Sequence, residues 1–486
     1  MTTQEAPLQR NQANALITRA KNKIEQQENV GSTRAGWLMI STLLIEAWDL
    51  YSLAFILVFL KDLYHPSTFL LAFTSAGLHI GGMIGSVLGG YLTDRFGRRK
   101  IFLASMIVFA VLAVAQGFAP SMLWLAVIRV LAGVPFGADI PNGFTYMMEV
   151  LPRAKREVMA NRWQSMFAFG TVIAAIFVTI LMAADVSPNL LWRIVLAFPA
   201  IPAVVLIFLR SGLPETPAWL LDRGRFLDAK EAARPVYGDV LDFLPDENVI
   251  VERPSVREVL SDLRTDKFRR RASIFGWVAN FNQSGEFWAF SFYVPFILVS
   301  VGLSNQIGSN LFSIGVNIVA AIAATIGPLL LRKIGHRGLT RWGAALTTTG
   351  LVVAAIGMFN TQVVLVVVGA AVMLWGHYWD NESGQTVLAV VARPRYRGTL
   401  SGLGNLSTKT AAFVAALVFP LLFSALGIGW AALITAIFPI TTWLVATFVL
   451  PEVYGFSEAG EADDNEQAHV VAGGGEAAGR VTDVTG

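Results

Sequence analysis

Ten ionisable side chains lie inside long apolar runs of the chain: Glu46, Asp49, His79, Arg129, Asp139, Glu286, His377, Asp380, Glu382 and Lys409. At a bilayer centre a charged group costs at least about 2.5–3.5 kcal/mol on insertion scales, so such groups usually face a cavity or a partner. Glu46 and Asp49 are three apart and share one helix face. At 1.5 Å per residue, Asp49 falls about 18 Å into its run, close to mid-membrane. Desolvation and like-charge coupling suit a carboxylate there to load and release a proton near neutral pH. The alternative is a fixed ion pair with Lys409 or Arg129. Asp139 follows Arg129 by about 15 Å along the same run. Pro141 and nearby glycines are expected to open that helix and free backbone groups for a ligand; a structural salt bridge is the competing reading of Asp139. Lys409, about 13 Å into its run, needs either a carboxylate partner or an anionic substrate. Glu286 and Asp380 are expected in the same cavity. His377 shares a face with Asp380 and reads as its hydrogen-bonding neighbour. Glu382, about 200° around the helix from Asp380, does not share that face.

Trp48, Tyr146, Trp288, Tyr293, Trp375 and Trp379 offer faces that pack against sugar C–H groups or rings, although helix packing accounts for most such side chains. The chain has no cysteine, which excludes disulfides, thiol chemistry and Cys-based metal sites. It shows no metal-ligand spacing, nucleophile elbow or phosphate loop. No cofactor, metal or enzymatic reaction is therefore expected.

The elements that would position these residues follow from hydropathy. Charged residues make up 15% of the 486 and hydrophobic residues 54%, against about 25% charged in a soluble domain. Apolar runs long enough to cross about 30 Å of hydrocarbon recur at 37–60, 70–91, 101–118, 122–150, 159–183, 190–210, 272–301, 305–331, 341–359, 363–391, 400–424 and 430–450. These are spans 1 to 12 of an all-α membrane protein. Lys and Arg gather at 92–100, 152–162, 332–341 and 393–397, so alternate turns and both termini are expected in the cytoplasm. Residues 1–36 lack a signal-peptide core and read as a cytoplasmic segment, which leaves span 1 as the insertion signal. The chain then divides into a six-helix bundle over 37–210, a charged cytoplasmic loop with short surface helices over 211–271, a second six-helix bundle over 272–450, and a largely disordered tail over 451–486. The net charge of +3 is small, and nucleic acid is not an expected partner; lipid, a small solute and protons are.

The halves repeat. Gly89–Arg99 reads GGYLTDRFGRR and Gly327–Arg337 reads GPLLLRKIGHR, at a shift of 238; Leu213-Pro214-Glu215 recurs as Leu450-Pro451-Glu452 at 237. Duplicated bundles around a central path are a transporter signature. The turn Gly90–Arg99, Arg129-Val130-Leu131-Ala132-Gly133, Glu149-Val150-Leu151-Pro152 with Arg156, Pro214–Leu220 and Pro451–Gly455 resemble motifs of the major facilitator superfamily, in its sugar and metabolite transporter group. The resemblance implies two pseudo-symmetric six-helix bundles and transport by alternating access in the plasma membrane, with the chain working as a monomer. It implies gating by Asp94 with Arg95, Arg98 and Arg99 at the cytoplasmic mouth; Arg129, as a structural or gating cation in its run, and Glu149 are also expected among the gating residues. Proton coupling or substrate contact is expected, from their burial in the apolar runs, at Glu46, Asp49, Asp139, Glu286, Asp380 and Lys409.

This sequence departs from sugar porters at Glu157, which replaces a glycine, at Arg332, which replaces an acid, and in span 7, which offers only Asn282, Gln283 and Ser284. Glu46 and Asp49 resemble the paired acids of aromatic-acid/proton symporters, and Asp49, Asp139 and Lys409 resemble groups of phosphate/proton symporters. The expectation is a proton symporter for an organic anion or sugar-like metabolite. The alternative is an efflux pump for amphipathic compounds.

Overall fold

The computed structural model describes residues 10–27, 30–248, 263–291, 306–393 and 396–456, with single positions at 261, 294 and 297. Tyr293 and almost all of the tail lie outside the described residues. Among the described residues the regular structure is helical. Ten helical stretches are long and apolar enough to cross a membrane, among them Thr33–Leu57, Met122–Val150 and Leu311–Phe359. Leu311–Phe359 is two spans, because Gly335, at φ 67°, turns the chain between spans 8 and 9. The helix Lys267–Phe290 supplies span 7, less apolar because it carries Asn280, Asn282, Gln283 and Glu286. The result is the twelve-helix, two-bundle architecture.

Local chemistry sets the helix ends. Ser67 and Ser121 accept hydrogen bonds from the N–H groups of Leu70 and Trp124 at the starts of spans 2 and 4, and Asp266 caps span 7 through Arg269 N–H at 3.0 Å. Span 2 stops at Gly97, where φ is 102°, a conformation that glycine adopts without steric cost. Gly335 does the same in the second half. Span 4 is helical through Pro135 and Pro141, so the expected opening of that helix does not occur. Its glycine face holds it against span 2: a Cβ on Gly133 or Gly137 would run into the carbonyl oxygens of Leu78 and Gly82. Span 10 does break, at Asn381, between Val363–Asp380 and Glu382–Val391.

The outside of the bundles is apolar, with Val111, Phe208 and Val364 among the exposed side chains, as lipid contact requires. The bundles meet where Gly90 on span 2 packs on Gly398 and Gly402 of span 11, and where Ser165 on span 5 donates to Ala324 O on span 8 at 2.8 Å. Beside the basic turns, the helix Arg10–Gln26 docks on Pro217–Leu221 and Phe226–Tyr237. Ile17, Ala20 and Ile24 form its buried stripe against Trp219, Phe226 and Tyr237, and Lys21 reaches Asp222 at 2.6 Å. The sequence reading assigned no element to residues 10–26; their stripe, spaced three and four apart, is short and lies in a polar segment.

Candidate functional site

A cavity lies between the bundles. Glu46, His79 and Gln164 line it from spans 1, 2 and 5; Asn280, Gln283, His377, Asn381, Gln385, Asn405 and Lys409 line it from spans 7, 10 and 11. Trp163, Phe167, Phe287 and Trp288 form aromatic walls. Side-chain amides both donate and accept, and few convergent polar groups among aromatic surfaces are what a small-molecule site needs.

Lys409 Nζ donates to Glu46 Oε1, an ion pair that joins span 11 to span 1 inside this cavity. Both groups are buried, so removing either would leave an uncompensated charge. Asp49 does not share this pair. It faces into its own bundle, where Arg129 lies 3.3 Å from Oδ2 and Gln116 donates to Oδ1 at 3.0 Å. Arg129 also donates to Gln116 Oε1 and Thr74 O. Arg129, expected to be a structural or gating cation, sits in the interior with Asp49, away from the basic turns. Asp139 accepts two bonds from Arg210 Nη1, at 3.0 and 3.1 Å, and one from Thr42 at 2.6 Å. Neighbouring acids on span 1 thus each have their own cation.

In the second bundle Glu286 Oε1 lies 2.7 Å from His377 Nδ1, and Thr347 donates to Asp380 Oδ2 at 3.3 Å. One donor atom from each of Glu286, His377 and Asp380 lies within 4.8 Å of the others. Glu382 is fully buried, with both oxygens unpartnered among the described residues and its carboxylate against Gly327. Among the expected pocket aromatics, Trp288 lines the cavity and meets the His79 ring edge-on at 4.4 Å. Trp48, Tyr146, Trp375 and Trp379 take packing positions instead. Trp48 stacks on Phe198 at 5.0 Å, Tyr146 donates to Pro214 O at 3.0 Å, Trp379 donates to Ala323 O at 3.1 Å, and Trp375 meets Trp379 edge-on.

One end of the cavity is closed by the basic turns. Asp94 accepts from Gly398 N–H, Thr399 N–H and the Thr399 hydroxyl, at 3.2, 2.8 and 2.7 Å, so it caps span 11 across the bundle interface. Arg98 grips Glu149 through Nε and Nη2, at 3.1 and 2.7 Å, and reaches Asp94 at 3.4 Å. Thr216 also donates to Glu149. Arg99 donates to Ser211 O, and Arg95 to the exposed Tyr91 hydroxyl. Glu215 caps the N–H groups of Arg98 and Arg99, and Glu452 caps those of His336 and Arg337. Burial pushes the Glu215 carboxyl up; the Thr216, Arg98 and Arg99 N–H groups and the Arg98 charge pull it back. His336 bridges Glu157 at 2.9 Å and Ser383 at 3.0 Å.

Sequence reasoning missed Arg210, Gln116, Asn405 and the Glu157–His336 contact. Arg210 was readable as one more arginine at the end of an apolar run; the others carry no spacing signal.

Two six-helix bundles around a cavity of amides, an ion pair and aromatic walls, closed at one end by duplicated charged turns, define a membrane transporter of the major facilitator type. The chain belongs to the sugar (and other) transporter family, whose profile matches residues 13–458. It is 28% identical over 295 residues to the arabinose-proton symporter of Bacillus subtilis, covering 59% of this chain and 62% of that one. It is 25% identical to the D-xylose transporter of Levilactobacillus brevis, covering 84% and 82% of the two chains. The proton:xylose symporter XylE, solved with 6-bromo-6-deoxy-D-glucose, shares its fold, with a TM-score of 0.71, 19% identity, and coverage of 92% and 98%.

Proposed function

We propose that this protein is a secondary active transporter that moves a small polar metabolite across the plasma membrane by alternating access, together with protons. The observation that carries this reading is the Glu46–Lys409 ion pair, which ties the two bundles together inside the amide-lined cavity. A proton on Glu46, or a solute group competing for Lys409, removes the tie and lets the bundles rock. Asp49, held by Arg129 a turn away, is the second candidate for proton coupling, and Asp139 holds span 4 to Arg210. The amides suit a hydroxyl-rich solute, and Lys409 suits a carboxylate once Glu46 is neutral. The names of the arabinose and xylose relatives support the sugar-like end of this range.

In this reading the basic turns and both termini face the cytoplasm, the Asp94 cap closes the inner mouth, and one chain is the working unit. No reaction or cofactor enters it. The alternative, an efflux pump for amphipathic compounds, would call for a weakly charged cavity, whereas this one holds an ion pair and several amides.

The test is uptake by proteoliposomes of pentoses, hexoses, polyols and carboxylates, with and without an imposed proton gradient. Gradient-driven uptake of one class, lost in Glu46→Gln, is expected. Uptake that ignores the gradient removes the coupling, and no uptake of any of these solutes removes the substrate class.

A further inference from the structure

Glu286 on span 7 and Asp380 on span 10 are fully buried. Glu286 Oε2 and Asp380 Oδ1 have no hydrogen-bond partner among the described residues. Two carboxylates this close in a medium of low dielectric do not both stay ionised without a compensating positive charge. The groups that meet them are His377 from span 10 and the Thr347 hydroxyl from span 9. The nearest cavity cation, Lys409, is already matched by Glu46. The cluster therefore lacks a positive charge that the described residues do not supply.

His377 provides the access. Its ring lines the cavity and stacks on Phe287 at 4.7 Å. Its Nδ1 meets Glu286 Oε1 at 2.7 Å, and its Nε2 lies 3.5 Å from Nδ2 of Asn381, another cavity residue.

We propose that Glu286, Asp380 and His377 form a second proton-carrying site, in which the two carboxylates share one proton that enters from the cavity through the imidazole. The step balances without a further reactant. A hydronium ion reaching the cavity gives its proton to Nε2 and leaves as water, the Nδ1 proton passes to Glu286 Oε1, and the ring returns to neutral in the other tautomer. The site deepens the proton-coupled reading and rests on it for its role. It lies wholly in the second bundle, so it is separable from the Glu46–Lys409 tie between the bundles.

The experiment is infrared difference spectroscopy of the full-length protein in lipid at pH 7, with no solute added. The wild type should show the carbonyl stretch of a protonated carboxylic acid that the Glu286→Gln/Asp380→Asn double variant loses and Glu46→Gln retains. An identical band in wild type and double variant overturns the proposal. Should the double variant not fold, His377→Phe provides the second reading: transfer to deuterated buffer should shift the same band more slowly than in wild type, and an unchanged rate overturns the relay. Neither readout uses transport, so failure here leaves the Glu46–Lys409 reading standing, and failure of gradient-driven uptake leaves this result standing.

Discussion

His336 Nε2 lies 2.9 Å from Glu157 Oε2, so the turn between spans 8 and 9 is tied to the helix that leads into span 5 of the other bundle. At the repeat shift of 238, His336 is the counterpart of Arg98, and Arg332 stands where the first copy has Asp94. The first turn reaches across the interface with an acid that caps a helix. The second has lost that acid, and the opposite bundle supplies one instead. A glycine at 157 could not do this, which gives the departure from the sugar-porter pattern a structural reason.

Breaking that contact should cost stability in a coupled way. Glu157→Ala and His336→Ala are each expected to lower Tm in detergent, with the double variant about 1–3 kcal/mol less damaged than the sum, as contacting buried groups show. Additive losses would mean that the two side chains act independently.

Asp94→Asn should weaken closure of the mouth at the basic turns. A helix-terminal charge contributes up to about 2 kcal/mol in partly buried geometry, or up to about a thirty-fold shift in the open-to-closed ratio at about 1.4 kcal/mol per factor of ten. The reading is alkylation of a cysteine placed at Gln385, with reagent added from each side. Labelling that matches the parent on both sides would show that the cap does not set this equilibrium.

Glu149→Ala should be far more damaging than either change. It takes from Arg98, which is 1% exposed, the carboxylate held at 2.7 and 3.1 Å and leaves the longer contact with Asp94; loss of one partner from a buried pair costs about 3–5 kcal/mol. Little folded protein is expected by size-exclusion chromatography, with partial recovery in Glu149→Gln, which keeps an acceptor. Normal yield of Glu149→Ala would mean that another group takes over the arginine.

Gly133→Val should prevent close packing of spans 2 and 4, since even a Cβ there meets the Leu78 carbonyl. Overpacking costs about 1–3 kcal/mol, sometimes more. Gly315→Ala, with nothing within 4 Å of the new Cβ, is the matched control. Equal thermal stability of the two would contradict the packing.

The fold was legible because lipid enforces it. A run of about 20 apolar residues leaves the backbone few options besides a helix, and the shift that relates Gly97 to Gly335 marks both turns. Buried charges were legible as a set, since Glu46, Asp49, Asp139, Glu286 and Lys409 stand out against apolar neighbours. Their partners were not. Which of Arg129 and Lys409 faces Asp49 depends on the rotation of three helices, and a helix periodicity gives rotation only relative to itself. The same limit misplaced Trp48 and Tyr146, whose rings point into their own bundle.

Glu215 and Glu452 each cap the basic turn of their own bundle, and the helices at 10–26 and 217–237 pack on each other within the first half. Each half therefore carries its own structural fastenings, and a separate set of bonds, from Glu46–Lys409 to Arg156–Phe456 O, joins the two. A gene cut between the codons for Asn248 and Ser261 should yield two polypeptides that find each other in the bilayer when made together, a route to labelling one half at a time.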